Sequence, residues 1–336
     1  MTQLIKSLCM IDGISGNEDN VREFITRQIK DYCEYHIDNL GNIIAFKKGK
    51  KRPQKKVMLD AHMDEVGLII TSINCEGFLK FQTVGGIETA SLINRKVKIN
   101  GQLFGVIGMK PVHLSKKEQA KKLPKVDELY IDIGAKTETD AKAVVSLGDT
   151  AVICSEFYET EDKILCKALD DRVGCAILIE LIKSYNEYDF YAVFSTQEEV
   201  GLRGARVAAF SLMPQSAIIL EGTTAADMAH MDREKTVCKL GCGAAVSFMD
   251  KATVYDREYY NAAFKSGIKC QPKAAVTGGN NSGAVHLTGE GIRTIALSVP
   301  CRYIHSASSV CDKADIDSAL SLAEYMISYI ASGEKQ

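Results

Sequence analysis

Apolar strands that run straight into a histidine or a carboxylate recur along this chain, and no other feature constrains it as much. The fullest case is FYAVFSTQEEVGLRGA at residues 190–205. Residues 190–194 read as a short buried strand bounded by polar residues. The strand gives way to two adjacent carboxylates, Glu198 and Glu199, then to Gly201 and a helix expected over 205–210. In an open α/β sheet, ligands sit in the crevice beyond the carboxyl ends of the strands. Two carboxylates there are costly unless a positive charge meets them, and a metal ion is the commonest supplier. A lone Glu-Glu pair is usually a solvated acidic loop. The rest of the chain reverses those odds.

KVMLDAHMDEVG at 56–67 repeats the design. A strand beginning at 57–59 runs into Asp60, His62 and Asp64. Alternate strand residues share a face, so His62 and Asp64 point the same way if the strand continues. A carboxylate so placed can orient a ligating imidazole. Further on, Asp170 and Asp171 precede a helix expected over 173–185. A helix N-terminus favours negative charge; capping needs one of the two, which leaves the other to a metal. Residues 215–220 read as a strand ending in Glu221, with a small-residue turn over 222–227. Residues 294–299 read as a buried strand leading through Pro300 to Tyr303, Ile304 and His305.

Two histidines and several carboxylates thus converge from separate segments on one sheet edge, and no cysteine belongs to the set. That mix suits zinc, cobalt or manganese. It is also enough for two ions sharing a bridging carboxylate.

Helices are expected over 4–11 and 17–32, with Asn17 capping the second. Residues 39–42 form a turn, 43–46 a strand and 47–56 a basic surface turn. From 66 to 159 strand-like pieces dominate: 68–73, 78–84, 96–99, 102–107, 129–133 and 150–157. Asn100-Gly101 between alternating runs signals a hairpin. The lysine-rich stretch 116–125 reads as an exposed loop, and His113 stands alone. After an amphipathic helix over 255–266, the loop TGGNNSG at 277–283 can present N–H groups to a substrate through Gly279, Asn280 and Asn281. Asp312 caps a final helix over 313–330.

Bulk properties exclude several classes. A length of 336 residues suggests about two domains. A 46% apolar and 25% charged composition is that of an ordinary globular protein. The net charge of −2 gives no electrostatic case for nucleic acid or an anionic membrane. No apolar run approaches a membrane span, and the N-terminus shows no cleavable signal pattern. Eleven cysteines without CxxC spacing read as reduced, mostly buried thiols of a cytoplasmic protein.

Five stretches, AHMDEVG, ALDDRVG, STQEEVGLRGA, ILEGTTAAD and RYIHS, occur in an order and spacing that fit one family along the whole chain. The sequence resembles the tetrahedral (deblocking, glutamyl-type) aminopeptidases, dinuclear metallopeptidases of prokaryotes. The resemblance implies a zinc-exopeptidase-like α/β sandwich with a mixed central sheet, formed by 1–65 and 160–336. It implies an inserted β-rich, barrel-like dimerisation domain at 66–159. It also implies two divalent metal ions per subunit, zinc or cobalt or else manganese. His62, Asp170 and Glu221 would hold one; Asp170, Glu199 and His305 would hold the other, with Asp170 bridging. Glu198 would be the general base, and Asp64 would orient His62. The expected activity is removal of N-terminal residues from short peptides, by dimers assembling to a dodecamer. Glu221 stands where many such enzymes carry aspartate, which keeps a dinuclear deacylase or carboxypeptidase as the alternative. An inactive peptide-binding assembly protein is the third reading, disfavoured because every expected ligand is of a competent type.

Overall fold

The computed structural model describes residues 1–111, 123–229, 231, 236–276 and 278–333. His113, most of the 116–125 segment and Thr277 lie outside the described residues. An eleven-stranded mixed sheet forms the larger unit. Its order is β1 (Glu34–Ile37), β2 (Ile43–Lys47), β12 (Phe190–Ser195), β3 (Val57–His62), β13 (Ser216–Thr224), β16 (Arg293–Arg302), β17 (Ser309–Asp312), β11 (Lys163–Cys166) and β10 (Tyr158–Glu159). On one side β14 (Ala244–Ser247) pairs with β16 and carries β15 (Cys270–Lys273). The four central strands, β12, β3, β13 and β16, are mutually parallel.

Strand alternation divides the core in two. Leu59, Ala61, Ala192, Phe194, Ile218 and Leu220 face α1 (Thr2–Met10), α2 (Asp19–Ile29), α5 (Leu169–Ser184), α7 (Arg257–Lys265) and α9 (Lys313–Ser332). Met58, Val193, Ala217 and Ile219 face α6 (Arg203–Leu212) and the short α8 (Ser282–Val285). With helices on both faces, the parallel strands are buried and mostly apolar, as buried parallel strands are.

The second unit is a closed barrel of β4 (Gly67–Ile73), β5 (Leu79–Val84), β8 (Leu129–Asp132), β7 (Leu103–Met109), β6 (Lys96–Ile99) and β9 (Thr150–Ile153). Its own core includes Leu68, Ile70, Phe81, Val97, Ile107 and Ile131. Asn100 and Gly101, both at positive φ, turn the chain between β6 and β7, as the sequence suggests. The expected α/β sandwich with a mixed sheet and a β-rich insert is therefore the observed architecture. None of the described helices is long and apolar enough to cross a membrane.

Several boundaries differ from expectation. The turn expected over 222–227 begins later, because β13 stays paired with β16 as far as Thr224↔Cys301. β16 likewise runs through Pro300 to Arg302. Pro300 lies past the short ladder to β14, where its missing N–H costs no bond. The strand expected over 150–157 ends at Ile153 in the barrel (β9), and the next strand, β10 of the sheet, begins only at Tyr158. Asn17 does not cap α2; its side chain donates to Thr150 Oγ1 on the barrel. β1, α3 (Thr89–Leu92) and α4 (Glu138–Lys142) are elements that periodicity did not announce.

Candidate metal centre

The candidate side chains come from the central elements or from the loops that follow them. His62 is the last residue of β3, and Glu221 lies within β13 beside it. Glu198 and Glu199 follow β12 in a loop that Asn42 and Gly204 brace. Asn42 Oδ1 accepts the Thr196 N–H at 2.9 Å, and the Asn42 amide donates to the Gly204 carbonyl at 3.0 Å. Any Cβ at Gly204 would sit 2.4 Å from the Thr196 carbonyl oxygen, so that close approach needs glycine. His305 follows β16 in a left-handed conformation, φ 58°.

Asp170 opens α5, but its backbone is not helical; neither is that of Asp171. The two aspartates are therefore set apart from ordinary capping. Asp171 is fully buried and spends its carboxylate on the protein: Oδ1 accepts the Gly174 N–H at 3.0 Å, and Oδ2 accepts the His62 N–H at 3.1 Å. Asp170 instead lies between the two histidines. Its Oδ1 is 3.5 Å from His62 Nε2, and its Oδ2 is 3.5 Å from His305 Nε2. Glu221 Oε1 approaches His62 Nε2 at 3.1 Å, and Glu199 Oε1 approaches His305 Nε2 at 3.1 Å. Gly222 makes this possible, since a Cβ there would fall 2.9 Å from the Asp170 Cα.

Asp64 lies beneath the centre, fully buried. It accepts hydrogen bonds from Ser15 Oγ at 2.6 Å and from the N–H groups of Glu198 and Glu199 at 3.0 and 3.1 Å. The His62 Nδ1 lies 3.1 Å from the Asp64 carbonyl oxygen and 3.4 Å from its carboxylate. The role of Ser15, which lies between the two expected N-terminal helices, was not visible in the sequence.

The charges are strongly biased. Burial alone would lower both imidazoles, but their acidic neighbours outweigh it. Glu221 and Asp170 lift His62 well above its usual range, and Asp170 and Glu199 lift His305 to about 11. Burial would raise Asp170, yet the same two imidazoles hold it far below the usual carboxylate range. Burial pushes Glu198 up to about 8 against the pull of His62, and it drives Glu221 well up. Such an arrangement draws cations. A bound divalent ion would bring the carboxylates back to their ionised forms.

The residues fit a metal. Two buried carboxylate oxygens, Asp170 Oδ1 and Glu221 Oε2, have no hydrogen-bond partner among the described residues. Such atoms are costly unless something meets them. Three groups have ligand atoms within 4.8 Å of one another: Asp170, Glu199 and His305; His62, Asp171 and Glu221; and His62, Glu198 and Glu199. The first is one of the two expected sets. The second contains Asp171 where Asp170 was expected; because both Asp171 oxygens already accept backbone N–H groups, Asp170 remains the freer ligand.

The centre opens on a cleft of about 880 Å³ lined by Asp170, Glu198, Glu199, Glu221 and His305 on one part and Val237, Lys251, Lys273 and Ala275 on another. Of the three loop residues expected to meet substrate, Gly279 lines this cleft. Asn280 and Asn281 are each 1% exposed and occupied internally. Asn280 bonds with the Tyr255 hydroxyl and accepts the Ser282 N–H, while Asn281 donates to Asp60 and Ser195. Their side chains anchor the loop from within, a role that polarity alone could not distinguish from substrate contact.

Comparison with known proteins gives a consistent picture. A putative aminopeptidase of Acetivibrio thermocellus is 38% identical over 329 residues, covering 96% of this chain and 97% of its own. The lysyl aminopeptidase of Pyrococcus furiosus is 32% identical, covering 97% and 96%. The solved TET1 peptidase of Pyrococcus horikoshii, described as assembling into a tetrahedron or a large octahedral shell, superposes with a TM-score of 0.86 at 33% identity over 99% of both chains. The family model described as M42 glutamyl aminopeptidase matches residues 41–322. This chain therefore belongs to the M42 glutamyl aminopeptidase family of metal-dependent peptidases.

Proposed function

We propose that this chain is an aminopeptidase that removes N-terminal residues from short peptides with the help of two divalent metal ions. The observation that carries the reading is the position of Asp170 between His62 and His305, with one carboxylate oxygen toward each. His62, Asp170 and Glu221 would hold one ion; Asp170, Glu199 and His305 would hold the other. The all-nitrogen-and-oxygen donor set suits zinc, cobalt or manganese. Bound there, the ions supply an acidified water and a polarised scissile carbonyl.

The chain's own residues do the rest. Glu198 is the neighbour of a ligand without belonging to either proposed ligand set, and it lines the cleft. It accepts the proton of the attacking water and returns it to the leaving amine. Asp64 fixes the Glu198 and Glu199 backbone and the His62 ring, so that base and ligands keep one geometry. The barrel, within 66–159, serves assembly, and the remaining segments, 1–65 and 160–336, serve catalysis. Dimers built through the barrel and gathered into a closed dodecamer would admit only short or unfolded peptides, in keeping with the shells described for the Pyrococcus horikoshii relative. A cytoplasmic setting agrees with eleven free cysteines. Names within the family point to different N-terminal residues, glutamyl in the family description and lysyl in one relative.

The test is hydrolysis of aminoacyl para-nitroanilides and matched N-blocked substrates by protein stripped of metal and refilled with zinc, cobalt or manganese. Metal-dependent cleavage of the free-amine substrates alone supports the reading. Cleavage of blocked substrates alone would replace it with a deacylase or carboxypeptidase.

A further inference from the structure

One buried side chain ties a wall of the cleft to the strands of the metal centre. Asn281 heads α8, where its carbonyl accepts the Ala284 and Val285 N–H groups at 3.1 and 3.0 Å. Its amide nitrogen donates to Asp60 Oδ2 at 2.7 Å and to Ser195 Oγ at 3.0 Å. Asp60 lies on β3 two residues before His62. Ser195 ends β12 in register with His62, three residues before Glu198. Asp60 and Ser195 are fully buried. Among the described residues, no other hydrogen bond joins the 278–283 segment to β3 or β12. Gly278 and Gly279, three and two residues before Asn281, line the cleft together with Glu198 and His305. A Cβ built at either glycine would meet nothing within 4 Å, so side-chain packing does not fix this stretch. Hydrogen bonds do. The Gly278 carbonyl accepts the Lys251 N–H at 2.9 Å. Asn280 donates to the Tyr255 hydroxyl at 3.0 Å, and that hydroxyl donates to Asp250 Oδ2 at 2.5 Å. Those bonds hold the segment to its neighbours at 250–255; only the Asn281 amide holds it to the strands that lead to His62 and Glu198.

We propose that Asn281 is a positioning residue. Through Asp60 and Ser195 it holds the Gly278–Gly279 wall in one place relative to His62 and Glu198, and so sets how well a peptide seats in the cleft. The inference rests on the aminopeptidase reading and adds a residue to it. Asn281 belongs neither to the cleft lining nor to any of the three ligand-type groups, so it acts through the backbone before it. A hydrogen bond from an amide to a carboxyl group is directional, which suits it to fix a loop that packing leaves free. A substrate held slightly out of place reacts poorly even when every reacting group is intact. The bond-breaking groups keep their own supports, so the effect of Asn281 falls on substrate binding.

The experiment removes the pair and then rebuilds it in reverse. Kinetics use the aminoacyl para-nitroanilide that zinc-loaded wild type cleaves best, with zinc equivalents and a thermal melt for each variant. Asn281→Leu keeps the size of the side chain and loses both bonds. It should raise KM about 10- to 100-fold, the scale of a small misplacement of substrate. Its kcat should stay within about 3-fold of wild type, as for lost binding without lost chemistry, and its zinc content should not change. The double variant Asp60→Asn with Asn281→Asp restores an amide–carboxyl pair with its ends exchanged, and the Ser195 hydroxyl can donate as well as accept. Its KM should lie within about 3-fold of wild type, because the pair is again complete. Ser195→Ala removes one of the two bonds and should raise KM about 3-fold, the net value of one hydrogen bond. A pair that only stabilised the fold would move kcat, KM and zinc content together. An unchanged KM in folded Asn281→Leu would overturn the proposal. So would a loss that falls on kcat or on zinc content, or a folded double variant no better than Asn281→Leu. If Asn281→Leu does not fold, an unchanged KM in Ser195→Ala overturns it instead. If metal-loaded wild type cleaves no free-amine substrate at all, the aminopeptidase reading itself fails, and this assignment falls with it.

Discussion

Asp64 holds Glu198 in place: the Asp64 Oδ1 that accepts the Glu198 N–H at 3.0 Å is also the atom 3.4 Å from the His62 ring. One buried carboxylate therefore sets the proposed base and one proposed metal ligand against each other. In the proposed mechanism Glu198 acts through its side chain. Glu198→Gln should keep fold and metal content but lower kcat by about 10²–10⁴, the range for losing a proton-transfer group. Steady-state kinetics beside metal analysis checks this, and near-normal turnover would remove Glu198 from the mechanism.

Asp64→Asn tests the support itself. The amide puts an N–H₂ where Asp64 now accepts from Ser15, Glu198 and Glu199. Metal affinity should fall about 10–100-fold, the usual cost of losing a ligand's orienting partner. A competition titration with a chelator measures it. Unchanged affinity would mean that His62 keeps its orientation without Asp64.

Gly222→Ala examines how Asp170 is seated. The added methyl would fall 2.9 Å from Asp170 Cα and 3.0 Å from its Oδ1. Strain of this kind costs about 1–3 kcal/mol. The variant should bind metal more weakly and melt lower. A thermal melt with and without added zinc would show both effects, and a variant identical to wild type would contradict the packing.

Much of this cluster could be read from the chain because most of its proposed ligands follow strands. His62, Glu199 and His305 each follow an apolar run, and a parallel sheet brings such ends to one edge. Glu221 was placed by the same logic, although β13 continues past it. The choice of Asp170 over Asp171 came with the resemblance and was not legible in the residues themselves. It depends on a non-helical start to α5, and a sequence pattern only says that a helix begins nearby. Asn280 and Asn281 defeated the reading for a related cause, since a polar loop side chain may serve substrate or its own scaffold with the same composition. The residues themselves made the barrel legible only as strands; its barrel-like form came with the resemblance, because closure depends on the pairing of β4 with β9.

Asp256 offers a test by pH, away from the centre. It accepts Arg293 Nε at 2.6 Å and Nη2 at 2.9 Å, and it caps α7 through the Tyr259 N–H at 3.1 Å. Burial would raise its pKa, but these bonds outweigh burial and hold it below the usual carboxylate value. A folded pKa below the unfolded one gives stability that is complete above the unfolded value, about 4. That stability is lost as pH falls through the folded value. Asparagine keeps the cap acceptor but drops the charge. Asp256→Asn should therefore cost about 1 kcal/mol near pH 7, a figure reduced for the solvent that reaches Arg293. The gap from wild type should close as pH falls through and below that folded value. Urea unfolding across pH measures it, and a gap independent of pH would show that the charge contributes nothing.

The central claim is that Asp170 joins two metal sites, and counting metal tests it most directly. Wild type and Asp170→Ala would be stripped, dialysed against zinc and measured for metal equivalents per chain. The account predicts two equivalents in wild type and at most one in the variant, with both proteins folded. Two equivalents in folded Asp170→Ala, or a single one in wild type, would contradict it.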